Sequence, residues 1–193
     1  MKKFFELFTL LFLACSISLF AQDFAKKGIV ELGGSIGFNS STQVFNGESA
    51  DESITTFFFN PYVGYFFINS LEVGVIPSFS TSSFGDNSQT NFGIILAPAY
   101  VFDLMNCWYP FIEGRIGYNT SSFDDGDDQT DDPSISGIQW GFRGGVKAQV
   151  GENALVNAGI FYNQITRNPE DWDGDRIGTN IFGIEVGVAI FLY

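Results

Sequence analysis

Between residues 178 and 193, Phe182, Ile184, Val186, Val188, Ile190 and Leu192 fall on one parity, with Gly183, Glu185, Gly187 and Ala189 on the other. Successive side chains of an extended chain point to opposite faces, so this alternation predicts a strand. Residues 28–39 repeat it, with Val30, Leu32, Ile36 and Phe38 against Glu31, Gly33, Ser35 and Gly37. Residues 136–150 set Ile138, Trp140, Phe142, Val146, Ala148 and Val150 against Gln139, Gly141, Arg143, Gly145, Lys147 and Gln149. Similar segments at 54–67, 70–84, 90–102, 108–119 and 154–166 bring the total to eight, each long enough to cross a bilayer as a tilted strand. In 54–67, Phe58, Tyr62 and Phe66 oppose Phe57, Phe59, Val63 and Tyr65, so parity does not decide which face turns outward.

Seven charged side chains, Glu31, Glu72, Glu113, Arg115, Arg143, Lys147 and Glu185, lie opposite the bulky apolar ones. A water-soluble β protein would turn those large hydrophobes to its core. Here the arrangement is reversed, with Gly, Ala, Ser and charge enclosed, and lipid is the surrounding that stabilises the apolar face. The predicted fold is all-β, an eight-stranded antiparallel up-and-down transmembrane β-barrel. Pro61, Pro77, Pro98 and Pro110 fall inside four strands, where each removes a ladder hydrogen bond, and bulges are the expected accommodation.

The connections alternate in length. Those at 40–53, 85–89, 120–135 and 167–177 are polar or acidic, whereas those at 68–69, 103–107 and 151–153 are short. Outer-membrane barrels place short turns in the periplasm and longer loops outside, so both termini are expected in the periplasm. Tyr65, Tyr100, Phe102 and Trp108 gather near the short turns, and Phe38, Phe79, Tyr118, Trp140 and Tyr162 near the long loops, as two interfacial girdles would.

The chain begins with Lys2 and Lys3, an apolar stretch from Phe4 to Ala14, and Ala21 before Gln22. This pattern predicts a secretory signal over 1–21 and a single barrel domain over 22–193. A lipoprotein signal acylated at Cys15 is the rival, and Phe12 fits that site poorly. Losing Lys2, Lys3 and Glu6 leaves 7 basic and 21 acidic side chains, a net charge of −14. Nucleic acid is thereby disfavoured, since its binding rests on cations that neutralise phosphate. Only Cys107 would remain as a thiol, so no intramolecular disulfide forms, and the lack of histidine argues against a structural zinc site.

The hairpin 61–74, the segment Pro110-Phe111-Ile112-Glu113-Gly114-Arg115-Ile116-Gly117-Tyr118 and the C-terminus resemble the small, porin-like outer-membrane β-barrels of Gram-negative bacteria, similar in build to outer membrane proteins A and X. The resemblance covers the mature chain and implies the outer membrane as location and its lipid as surroundings. It also implies an assembly signal read by the barrel assembly machinery, matched here by Glu185, Gly187, Ile190 and Leu192. The pattern ends one residue before Tyr193 instead of on a terminal aromatic.

Without histidine, the familiar Ser-His and Asp-His mechanisms are excluded, and no enzymatic activity or cofactor is expected. The enclosed charges are expected to pair, because an isolated buried charge is costly. Counting from the strand ends puts Glu113 level with Lys147, and Glu185 level with Arg115 and Arg143. Such a network either plugs an interior barely wide enough for side chains or lines a polar pathway. Asp124–Asp132 is rich in carboxylates, and Asp171, Asp173 and Asp175 resemble half of a calcium loop that lacks its downstream bidentate glutamate. The expected function is an envelope-structural or surface-interaction role through acidic extracellular loops, with an external ligand or divalent cations as partners. A small passive channel for solutes is the alternative.

Overall fold

Hydrocarbon offers backbone groups no hydrogen bonds, so a sheet that crosses it must close on itself. The computed structural model, which describes residues 24–45, 48–84, 87–104, 107–124, 134–167 and 177–193, is such a closed sheet. Its strands are β1 (Val30–Phe45), β2 (Glu48–Ile68), β3 (Leu71–Phe84), β4 (Asn87–Val101), β5 (Trp108–Asp124), β6 (Ser134–Gln149), β7 (Ala154–Arg167) and β8 (Ile177–Leu192). Every neighbouring pair is antiparallel and consecutive, and β1 closes on β8 from Val30↔Leu192 to Val44↔Gly178. The expected signal over 1–21 lies outside the described residues.

Facing follows parity. Ile36, Phe38, Ile138, Phe142, Ile184 and Val188 are exposed on the outside, while Glu31, Glu72, Glu113, Arg115, Arg143, Lys147 and Glu185 are all buried inside. In β2, Phe58 and Phe66 turn in and Phe59, Val63 and Tyr65 turn out. The enclosed face is therefore not only small and charged. Phe58, Phe66, Ile76, Ile95, Phe111, Leu155, Phe161, Ile165 and Phe191 are buried there too.

Two expectations about the strands need correction. The connection placed at 40–53 is mostly strand, because β1 and β2 stay paired to Phe45↔Glu48, with a register shift between Thr42 and Val44. Backbone pairing needs no apolar side chain, so the hairpin runs on where the apolar alternation stops. Nor do bulges mark the prolines. Across β2 and β3 the register at Phe59↔Phe79 is the same at Val63↔Val75, with pairing absent between them, where Pro61 and Pro77 lie opposite each other. Across β4 and β5 it lapses around Pro98, between Leu96↔Ile116 and Ala99↔Glu113, again without a shift. At Pro61, Pro77 and Pro98 the missing N–H coincides with local loss of pairing, whereas Pro110 stays in register opposite Val146; the one β2–β3 shift lies near the turn, between Phe66 and Ile68.

The end of the barrel at which β1 starts and β8 finishes is sealed. Gly28 N–H donates to the Phe66 carbonyl at 2.8 Å, Phe66 N–H to Ile29 at 2.9 Å, and Ser70 N–H to Ala25 at 2.8 Å. These bonds fold residues 24–29 across the opening. Phe24 enters a cluster with Phe66, Tyr109, Phe111, Leu155 and Phe191, its ring centroid 5.1 Å from Phe66, 5.2 Å from Tyr109 and 5.2 Å from Phe191.

Val188 is 66 % exposed on the outer face. Val188→Arg is expected to cost roughly 2 to 4 kcal/mol of folding free energy in lipid, as arginine does near the midplane on this face. Val188→Leu should change it by less than about 0.5 kcal/mol. Equal folding free energies for the two variants would overturn the facing of β8.

Candidate functional site in the barrel lumen

The inward side chains form three tiers above the apolar seal. In the lowest, Lys147 on β6 donates to Glu31 on β1 at 2.6 Å and to Glu72 on β3 at 2.8 Å. Its ammonium also lies 5.3 Å from the Phe24 ring centre, 5.4 Å from Tyr62 and 5.6 Å from Phe111. One cation thus holds two carboxylates and has aromatic faces around its remaining sides, where ring quadrupoles attract positive charge.

The second tier is a four-member network. Arg115 Nε donates to Glu113 at 2.7 Å and its Nη2 to Glu185 at 3.0 Å, tying β5 to β8 across the lumen. Arg143 Nε is 2.8 Å from Glu185 Oε1, at ion-pair distance but without hydrogen-bond alignment, and its Nη1 is 3.8 Å from Glu113. Arg143 Nη2 donates to Asn157 on β7 at 2.6 Å. The Arg143 guanidinium stacks 4.7 Å from Phe111 and that of Arg115 5.2 Å from Phe161. Glycines opposite these long side chains leave them room. A Cβ at Gly187 would sit 2.6 Å from the Gly34 carbonyl and 2.8 Å from Asn157 Nδ2. Between the two tiers is a cavity of about 20 Å³, the size of a single water site.

All seven charges singled out in the sequence therefore stand in the lumen, but not in the pairing that counting suggested. Glu113 is opposite Arg143, and Lys147 is opposite Tyr109, so Glu113 and Lys147 are not level. Neighbouring barrel strands are staggered, and equal distance from a strand end is not equal height. Glu185 does meet Arg115 and Arg143. Of the proposed assembly residues, Ile190 and Leu192 face outward and Glu185 and Gly187 inward. Asp171, Asp173 and Asp175 lie outside the described residues, as does most of Asp124–Asp132. Among the described residues no group of three or more metal-type ligands occurs.

The third tier was not foreseen. Above the ions a vestibule of about 170 Å³ opens toward the long connections. Its walls carry amides and hydroxyls, including Asn39, Thr56, Asn60, Asn119, Gln139 and Asn163, over an apolar floor of Phe58 and Phe161, whose ring centroids are 5.5 Å apart. Arg167, at the end of β7, donates to Thr179 at 3.3 Å, to Asn119 at 3.1 Å and to Ser121 at 3.0 Å. Ser121 donates in turn to Asn91, and Asn91 to Ser80. The sequence signal for Arg167 was its parity with Asn163 and Ile165, one residue past the predicted strand. Phe24 had no such signal, because it precedes the first strand.

The outer membrane protein beta-barrel domain family matches this chain over residues 7–189. The chain belongs to that family. Neisserial surface protein A superposes on the barrel with a TM-score of 0.68 at 20 % identity, over 85 % of this chain and 99 % of that one. Ail, the attachment invasion locus protein of Yersinia pestis, solved with the heparin analogue sucrose octasulfate, gives 0.50 at 14 % identity over 86 % and 99 %. No curated protein sequence matches it. These likenesses are of fold. The exposed band of Ile, Val, Phe and Leu is thus the outer-membrane barrel's lipid face, and the charged tiers lie inside the barrel.

Removing one partner of a buried ion pair leaves an uncompensated charge and costs about 3 to 5 kcal/mol. Lys147→Met is therefore expected to destabilise this outer-membrane barrel by about that amount, since Glu31 and Glu72 would face each other without a cation. Adding Glu31→Gln and Glu72→Gln should recover more than half of the loss. Urea titration of folded protein in lipid measures both, and additive losses in the triple variant would show that the three side chains do not act as a unit.

Proposed function

We propose that this protein is a closed, non-enzymatic outer-membrane barrel that works through its loop end, in envelope structure or contact with external ligands. The observation that carries this reading is the stack inside it. An apolar seal centred on Phe24 lies beneath two ion networks, with space for about one water between them. Eight strands enclose an interior that side chains can fill, and here they do. The carboxylates inside the barrel, Glu31, Glu72, Glu113 and Glu185, are all held by Lys147, Arg115 or Arg143.

On this reading residues 1–21 are removed on export, both termini lie in the periplasm, and the long connections face outside. Glu185, Gly187, Ile190 and Leu192 serve as the signal for the barrel assembly machinery. Ile190 and Leu192 support that role, being presented outward on the closing strand. The acidic stretches around Asp124–Asp132 and Asp171, Asp173 and Asp175 supply carboxylates for weak calcium contacts at the surface. Ail offers a precedent for a barrel of this build meeting an external ligand.

Planar-bilayer recording tests the closed state. Folded protein is expected to give only rare, small events, and Phe24→Ala combined with Arg143→Ala should enlarge them by opening the seal and the network together. Large, stable, uniform conductance of the unmodified protein would replace this reading with a solute channel. Deleting Ile190–Tyr193 is expected to abolish outer-membrane assembly, seen as loss of the boiling-dependent gel shift. Normal yield of that truncation would refute the assembly signal.

A further inference from the structure

Large side chains cover most of the outward face, but a furrow of about 780 Å³ runs between them across β4, β5 and β6. Pro98, Gly114 and Gly144 form its floor, on the same parity as Tyr100, Ile112 and Phe142. Register sets the floor on a diagonal, because Gly114 is level with Phe142 and Gly144 is level with Ile112 and Ile160. These glycines make no room for the protein's own side chains. On the inner face a Cβ at Gly145 would sit 2.2 Å from the Ala158 carbonyl oxygen, and one at Gly117 2.4 Å from that of Ile94, so packing requires glycine there. On the outer face Phe59 lays its ring over Gly34, 3.1 Å from where a Cβ would stand. Chain neighbours aside, a Cβ at Gly114 would meet nothing closer than Pro98 Cγ at 3.8 Å, and one at Gly144 nothing closer than the Phe111 carbonyl oxygen at 3.9 Å. The space above these two is left to the surroundings.

Around this band the surroundings are lipid. Lipid tails are as apolar as leucine, so no hydrophobic gain comes from exchanging one apolar surface for another, and packing decides what fits. A furrow brushed by passing tails forfeits contacts along its walls, since a gap of about 0.5 to 1 Å already loses a quarter to a half of the dispersion attraction. A chain seated along the furrow recovers them. A second barrel could not, because its own lipid face is convex and only single side chains would reach the floor. We propose that the furrow over Gly114 and Gly144 is a binding site for one acyl chain of an outer-membrane phospholipid. The chain lies between Tyr100 and Ile112 on one side and Phe142 and Tyr162 on the other. The site needs only the lipid face, so it stands whether or not the lumen conducts.

The test is native mass spectrometry of protein folded into palmitoyl-oleoyl phosphatidylcholine vesicles and released into mild detergent. The unmodified barrel should appear as a monomer that retains one phospholipid. Gly114→Leu combined with Gly144→Leu fills the floor and should lower the lipid-bound fraction at least about tenfold. Val188→Leu, elsewhere on the same face, should leave it unchanged. Retention of the boiling-dependent gel shift shows that each variant is folded. If the double variant does not fold, unmodified protein in vesicles of the same lipid with a diazirine on its acyl chain decides the matter. Photolabelling should then concentrate on Tyr100, Ile112 and Phe142, several-fold above Ile184, Val186 and Val188 on β8. No retained lipid, equal retention in the folded double variant, or even labelling around the barrel would each overturn the proposal. A dimer that the double variant abolishes would also overturn it, by placing a second copy in the furrow. Bilayer recording bears on the closed lumen alone, and large conductance would leave this site standing.

Discussion

An unpaired strand edge in hydrocarbon leaves a row of N–H and C=O groups with no partner, and each such group costs several kcal/mol. The pairing of β1 with β8 removes that edge. Closure with eight strands then sets the radius, and the radius leaves space for side chains but not for bulk water. From this follow the small residues on the inner face, the charges that must find partners there, and the apolar seal at the end where β1 starts and β8 finishes. Residues 24–29 belong to the same logic. Their hydrogen bonds to Phe66, Asn69 and Ser70 anchor a segment that would otherwise lie loose at the opening.

Buried ion pairs are weak contributors to net stability, since desolvation offsets much of their attraction. Their value here is geometric. Lys147 joins β6 to β1 and β3, and Arg115 joins β5 to β8, so the two tiers connect strands that share no backbone ladder. A register slip of one residue in any of these strands would turn its charged side chain into lipid. The barrel's outward face is nearly uniform in hydropathy and specifies little by itself. The ions, with Phe24 and Phe111 packed on Lys147, are what distinguish the correct register from its neighbours.

Much of this was legible in the chain because period two reports facing directly. The alternations in β1, β6 and β8 predicted both their lipid sides and their charged sides. What parity cannot show is who meets whom. Glu113 was placed level with Lys147 by counting along neighbouring strands, but the stagger of a barrel sets it opposite Arg143, and Lys147 finds its partners across the lumen. Strand ends on the loop side were set too short, because the backbones of Ser40, Ser41 and Thr42 stay in register with Thr55, Ile54 and Ser53 beyond the apolar alternation. The inward aromatics were hidden for a related reason. Phe111 and Phe191 share the parity of Glu113 and Glu185, yet a large apolar residue reads as lipid-facing until its position in the alternation is given priority over its type.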